Sequence, residues 1–193
     1  PLLPCLFAWL LAVKLKLKPT LIFASVLFLS LFVFFTAKFL HPKLNFPEAV
    51  VIKQQEFFKL GGKSAVRVDS LKPRLSSFLQ NAPGAFSITT IRPYPADVRH
   101  LLSLAAAVEI NLILVLVLLF AFYRRKPVQL NPFLFFCICF SFATLMMIGY
   151  SVNVLGAIVR YRSIVFPFLI VPMVASINWQ QIKVLVLTNM NKK

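Results

Sequence analysis

LLSLAAAVEINLILVLVLLFAFY, from Leu101 to Tyr123, holds one carboxylate and no cation, and Arg124-Arg125-Lys126-Pro127 ends it at once. A hydrocarbon core is crossed by about 20 consecutive apolar residues in a helix. The run 101–123 has that length, and the basic cluster behind it is where a span meets lipid headgroups. Working outward, 132–150 is a second run of the same kind. Segment 20–40 is a third, with Lys38 near its end, where the aliphatic stem can lie along the helix while the ammonium reaches the interface. A fourth begins at Ile164 and ends at Ile177, interrupted by Pro167 and Pro172, with Trp179 marking the interface. Counted back to Ala157, the fourth span (157–177) is long enough to cross and takes Arg160 and Arg162 into it. Residues 1–13 are apolar but too short. They start at Pro1 and lack a positive n-region, so they are expected to be a truncated or interfacial segment of a chain that is the C-terminal portion of something longer. The expected class is all-α: a polytopic transmembrane helical protein with about four full spans plus a truncated N-terminal one.

Composition agrees. The chain is 60% hydrophobic and 13% charged, where a soluble domain carries about 45–50% apolar and about 25% charged residues. Lys and Arg number 21 against 5 Asp and Glu, a formal charge of +16. Cations placed between apolar runs fix topology and meet anionic lipid, and no nucleic-acid-binding motif accompanies them. Membrane lipids are therefore the expected partners, and nucleic acid is not. Cys5, Cys137 and Cys139 lie in apolar stretches at spacings that suit neither a disulfide nor zinc. His41 and His100 flank spans without acidic or Cys neighbours, so no metal or other cofactor is expected.

Segment 41–100 differs from the rest. It holds four of the five acids, with breaks at Gly61-Gly62, Pro73, Pro83-Gly84 and Pro93-Tyr94-Pro95. Glu48–Leu60 has amphipathic helical spacing, Leu71–Leu79 suggests a second short helix, and Ser64–Val68 and Phe86–Ile91 look extended. This predicts an extramembrane loop with short amphipathic helices lying on the bilayer. Strict alternation puts Lys14, Lys16, Lys18, Arg124, Arg125, Lys126 and the C-terminal lysines on one side. The positive-inside rule makes that side the cytoplasm, with 41–100 outward and 178–193 a cytoplasmic tail.

Four charged residues are candidates for a site. Arg160 and Arg162 stand two apart, roughly 200° around a regular helix. In a frayed turn their planar forks could converge on one phosphate, and otherwise they reach for lipid headgroups. Glu109 is the one acid inside an apolar span, about two turns from its start, where ionisable groups mark a partner or a pathway. It could orient a bound group, pair with Arg160 or Arg162, or bond Asn111 or Asn153. Arg92, in Arg92-Pro93-Tyr94-Pro95-Ala96-Asp97-Val98-Arg99, stands on a stiff approach to span 101–123, either as the wall of an anion site or as a hinge in which Asp97 caps the helix. No nucleophile–base pair, Walker loop or dinucleotide fingerprint is present, so catalytic residues stay unassigned.

Leu60-Gly61-Gly62, Arg92-Pro93-Tyr94-Pro95, Ile148-Gly149-Tyr150, Gly156-Ala157-Ile158-Val159-Arg160-Tyr161-Arg162-Ser163 and Pro167-Phe168-Leu169 together resemble the C-terminal part of multipass bacterial membrane proteins of surface-polysaccharide assembly, broadly the O-antigen polymerase and membrane glycosyltransferase kind. The resemblance covers most of residues 57–170 but lacks the acidic metal-binding loop of membrane glycosyltransferases. It implies a bacterial inner-membrane protein acting on a polyprenyl-phosphate-linked sugar at the periplasmic face, as a glycosyltransferase or polysaccharide polymerase. Arg160, Arg162 and Arg92 would hold phosphate and Glu109 would orient it. A transporter or flippase, and a non-catalytic assembly subunit, are the alternative expectations.

Overall fold

Apolar runs that must satisfy every backbone group away from water fold as helices, and the described residues of the computed structural model are mainly helical. It describes residues 1–15, 17–60, 64–94, 101–125 and 131–190, the side chains of Leu102 and 185–190 excepted. The helices are α1 (Leu2–Leu15), α2 (Pro19–Thr36), α3 (Phe46–Leu60), α4 (Leu75–Thr90), α5 (Leu101–Tyr123), α6 (Pro132–Ser151), α7 (Leu155–Arg162), α8 (Phe166–Ser176) and α9 (Trp179–Met190). Among the described residues there are no strands, only isolated antiparallel bridges at Ala65–Val154 and Arg124–Ile177. Three helices are long and apolar enough to cross a membrane: Pro19–Phe39, Ser103–Tyr123 and Pro132–Ser151. The pair α7–α8, bent by 52°, makes up to a fourth span. The chain is an all-α polytopic membrane protein.

The local chemistry sets the ends. Pro132 opens α6 at a position where its missing N–H costs nothing, and the Asn131 side chain accepts from Phe133 N at 3.1 Å. Asn45 caps α3 by exchanging hydrogen bonds with Glu48. On the exposed face of α3, Lys53 and Glu56 pair at 2.8 Å, which raises the lysine pKa and lowers that of the carboxyl through their hydrogen bond.

Helix α6 is the axis of the bundle. Of its span 44% is buried, against 11% for Pro19–Phe39 and 17% for Ser103–Tyr123, so those two leave most of their apolar surface for lipid. On α1, Cys5, Ala8 and Ala12 form one buried face of small side chains, letting it approach Phe136, Cys137 and Phe140 of α6 and Ile22 and Phe23 of α2. Phe168 of α8 closes this cluster edge-on to Phe140 at 4.9 Å. At the other end, Phe34 and Phe35 of α2 and Tyr150 of α6 surround Phe78 of α4, and the Tyr150 hydroxyl donates to Phe78 O at 2.8 Å. These contacts, with Val50 and Val51 of α3 and Leu71 in the same cluster, seat α3 and α4 on one end of the bundle. At the opposite end Asn178 N donates to Tyr123 O at 2.8 Å and Arg125 N to Ser176 O at 3.0 Å, tying the ends of α5 and α8.

Three local expectations need correction. Phe86–Ile91 is not extended: α4 starts at Leu75 rather than Leu71 and runs through Pro83-Gly84 to Thr90. Packing on α6 overrides the weak propensity of that pair, and Gly149 of α6 makes the packing possible. A Cβ at Gly149 would stand 2.6 Å from the carbonyl carbon and 2.9 Å from the Cα of Ala85, and closer still to its oxygen. The last span is broken at 163–165, not at its prolines. Pro167 lies in the first turn of α8 and Pro172 is accommodated inside it. Beyond Asn178 the chain continues as α9. Lys16, Gly61-Gly62-Lys63, residues 95–100, 126–130 and 191–193, with the expectations placed on them, lie outside the described residues.

A side chain at position 149 therefore forces two backbones apart. Gly149→Leu should cost at least about 1–3 kcal/mol, the range for overpacking, seen as a lower melting temperature in detergent micelles. Gly84→Ala, whose Cβ meets nothing within 4 Å, should leave melting unchanged or raise it.

Candidate functional site

Two groups of polar side chains converge where α4 meets the spans. The first centres on Arg162, the last residue of α7, which has no exposed surface. One guanidinium nitrogen donates to the backbone carbonyls of Thr89, at 3.5 Å, and Arg92; the other donates to Ala106 O of α5 at 3.4 Å. The Glu109 carboxylate lies 3.9 Å away, beyond hydrogen-bond range, so it contributes charge compensation alone. The ring of Phe166 lies 5.6 Å from the guanidinium carbon, within cation–π range. A buried charge survives in apolar surroundings only when paired and hydrogen-bonded; three carbonyls from two segments engage the two terminal nitrogens, while Nε is buried without a hydrogen-bond partner.

Arg160 is exposed and Arg162 buried, as two residues on opposite sides of a helix must be. The two do not converge on one anion. Asn111 bonds Ala107 O in its own helix at 2.7 Å, and Asn153 lies elsewhere.

The second group lines a cavity of about 660 Å³, within the size range of small-molecule sites, about 300–1,000 Å³. One wall is the extended segment 64–69. Val66 N donates to Asn153 O at 2.8 Å and Leu155 N to Ser64 O at 3.1 Å. The buried Gln54 of α3 holds the other end, accepting from Leu71 N at 2.8 Å and donating to Asp69 O at 3.2 Å. Side chains alternate along an extended segment. Val66 and Val68 pack beside Ile88, Ile148 and Ile158, Arg67 and Asp69 are exposed, and all four line the cavity. The second wall is α4, through Asn81, Gly84 and Ser87. The third is Arg92-Pro93-Tyr94, joined through a cis peptide bond between Arg92 and Pro93. The Arg92 guanidinium covers the Tyr94 ring at 5.0 Å, and the Tyr94 hydroxyl is 3.2 Å from Ser87 Oγ. Asn153, 8% exposed, completes the lining, and its Oδ1 is buried without a hydrogen-bond partner.

This cavity offers two guanidiniums, one carboxylate, two amides and two hydroxyls around an apolar floor. Such a set suits a ligand that carries negative charge together with hydroxyl or amide groups. Of the expected site residues, the structure places Arg92 here, Arg162 and Glu109 in the adjoining cage, and Arg160 apart. Arg67, Asp69, Asn81 and Asn153 did not emerge as site residues from the sequence. The signal for the first two was the alternation Val66-Arg67-Val68-Asp69, visible as an extended stretch with a charged face. Among the described residues no three His, Cys, Asp or Glu side chains gather in a way that could hold a metal ion. Comparison with known protein families, curated proteins and solved structures finds no match for the chain.

The cage allows a ranking. Arg162→Met strands three carbonyls that accept from a charged donor and should cost about 3 kcal/mol. Glu109→Gln, at a partly exposed and solvent-screened carboxylate, should cost about 1 kcal/mol or less. Thermal unfolding of the purified variants reads both, and the reverse order would make Glu109 the chief partner of the buried cation.

Proposed function

We propose that the protein handles the head of a lipid-linked glycan, a phosphate-bearing and hydroxyl-rich group carried on a polyprenyl chain, at the outer face of a bacterial inner membrane, in envelope polysaccharide assembly. The observation that carries the reading is the cavity itself, with Arg67 and Arg92 in its lining beside Asp69, Asn81 and Asn153. Guanidinium forks match phosphate oxygens, while carboxylate and amide oxygens accept from sugar hydroxyls, so cations and acceptors together favour a glycosyl phosphate over phosphate alone. The cavity also sits on the end of the bundle where α4 packs on α6, within reach of a headgroup whose chain stays in lipid. Arg92 keeps its expected role as a phosphate ligand, and Arg67 takes the place of Arg160 and Arg162.

The 52° break between α7 and α8 beside Arg162 and Glu109 favours a second reading, a transporter or flippase, since broken spans accompany substrate passage. Against a mobile charge relay stands the cage, in which both terminal nitrogens of Arg162 engage backbone carbonyls.

In lipid nanodiscs the protein should bind polyprenyl phosphate in preference to neutral lipid. Arg67→Gln and Arg92→Gln should each weaken binding about tenfold or more, as expected for loss of a charge-assisted hydrogen bond worth about 1.5–3 kcal/mol. Affinity unaltered by both changes sinks the pocket as the binding site.

Orientation is tested separately. Lys14, Lys18, Arg124 and Arg125 sit at helix ends opposite α3 and α4, so the positive-inside rule puts the pocket outside and α9 in the cytoplasm. A membrane-impermeant thiol reagent on intact cells should label Ser70→Cys, and should label Gln180→Cys only after permeabilisation. The opposite pattern reverses the topology.

A further inference from the structure

We infer that Arg162 is a positioning residue for the pocket, holding the segment that carries Arg92 at the height where its side chain meets the ligand. This rests on the pocket being the binding site, but it is carried by a different observation. The acceptors of Arg162 lie at the junction between pocket and membrane. Thr89 is the last buried turn of α4, and its hydroxyl bonds the carbonyls of Ala85 and Phe86 at 3.1 and 3.0 Å, so its backbone is fixed from the α4 side. Arg92 belongs to the pocket wall, and its carbonyl is the acceptor closest to the Arg162 guanidinium. Ala106 is on α5, a span. One rigid planar group thus joins the end of α4, the start of the Arg92-Pro93-Tyr94 wall and a transmembrane helix.

Two further bonds tie the turn from Ile91 to Tyr94 to the rest of the protein. Ile91 N closes the last turn of α4 on Ser87 O at 3.0 Å, and Tyr94 touches Ser87 through its hydroxyl. Both restraints tie the wall to α4. Arg162 ties it to the membrane spans, and the other face of its guanidinium environment, Phe166, belongs to α8 just beyond the break. A lysine ammonium is a single point on a flexible stem and cannot reproduce a fork that reaches acceptors on two segments. Substitution therefore removes this tie between the wall and the spans without removing Arg92 itself. The guanidinium that binds the ligand and the guanidinium that holds it in place are distinct residues.

A double-mutant cycle on the full chain in nanodiscs, with polyprenyl phosphate as probe, separates this role from a merely structural one. Arg162→Lys should weaken binding about tenfold in the wild type and again about tenfold in the Arg67→Gln background. In the Arg92→Gln background it should change binding less than about twofold, because the residue it positions is already absent. Equal losses in all three backgrounds overturn the inference and make Arg162 a general stabiliser. If Arg162→Lys does not fold, Phe166→Leu, which removes the ring beside the guanidinium and leaves the cation, carries the same cycle to a smaller loss. Amide hydrogen exchange supplies a readout that needs no ligand. In Arg162→Lys the amides of Ile91, Arg92 and Tyr94 should exchange at least about tenfold faster while those of α6 hold their rate, whereas a uniform rise counts against positioning. Should the wild type bind no polyprenyl phosphate, the pocket reading falls, and the exchange pattern alone decides whether Arg162 holds the wall.

Discussion

A guanidinium with no exposed surface at the end of α7 constrains everything near it. Removing a cation from water costs several kcal/mol unless hydrogen bonds and counter-charge replace its hydration. α7 cannot satisfy Arg162 alone, because it ends there. The acceptors come from the carbonyls of Thr89, Arg92 and Ala106, and the charge compensation from Glu109 at 3.9 Å. The end of α4, the approach to α5 and the break between α7 and α8 must therefore meet at one point. The turn at 163–165 separates α7, which ends at Arg162, from α8, which packs Phe166 and Ile170 beside Ile110 and Ile113 of α5.

The other fixed point is the crossing of α4 and α6. Without a hydrophobic driving force between helices in lipid, close association needs small residues that let backbones touch. Gly149 against Ala85 supplies that contact at one end of α6, and Cys5, Ala8 and Ala12 supply it at the other. Between these contacts, stacked and edge-on phenylalanines fill the bundle. The cavity lies beside the first crossing. Its floor residue Ile88 belongs to the same cluster as Ile148, Val152 and Ile158, so the packing that seats α4 on the membrane helices also shapes the pocket.

Spans were legible because hydropathy is local. Leu101–Tyr123 coincides with α5 and Pro132–Tyr150 falls one residue short of α6. Corresponding detail in the 41–100 segment was not legible. Pro83-Gly84 reads as a break, and only the missing Cβ at Gly149, sixty-odd positions away, explains why α4 continues through it. Arg160 and Arg162 were equivalent in the sequence, and their i, i+2 spacing separated them onto opposite faces. Which one is buried depends on Thr89, Arg92 and Ala106, which no spacing rule connects to them. Asn153 was weighed as a partner for Glu109, but its backbone pairs with Val66, so it belongs to the pocket instead.

The division of labour between the arginines has a physical rationale. Arg92 and Arg67 line the cavity, and Arg67 is exposed. Arg162 has no exposed surface, and its terminal nitrogens are already engaged by backbone carbonyls. Its permanent charge suits this use, because a group that lost its proton on burial would release the cage. A chain with an excess of cations can thus spend one of them entirely on architecture. The consequence is directional: whatever occupies the pocket touches a wall whose backbone is bonded to a cation shared with α5 and α8. Displacement of that wall has a path to the broken span through Arg162, and none is needed through the weaker, half-exposed contact with Glu109.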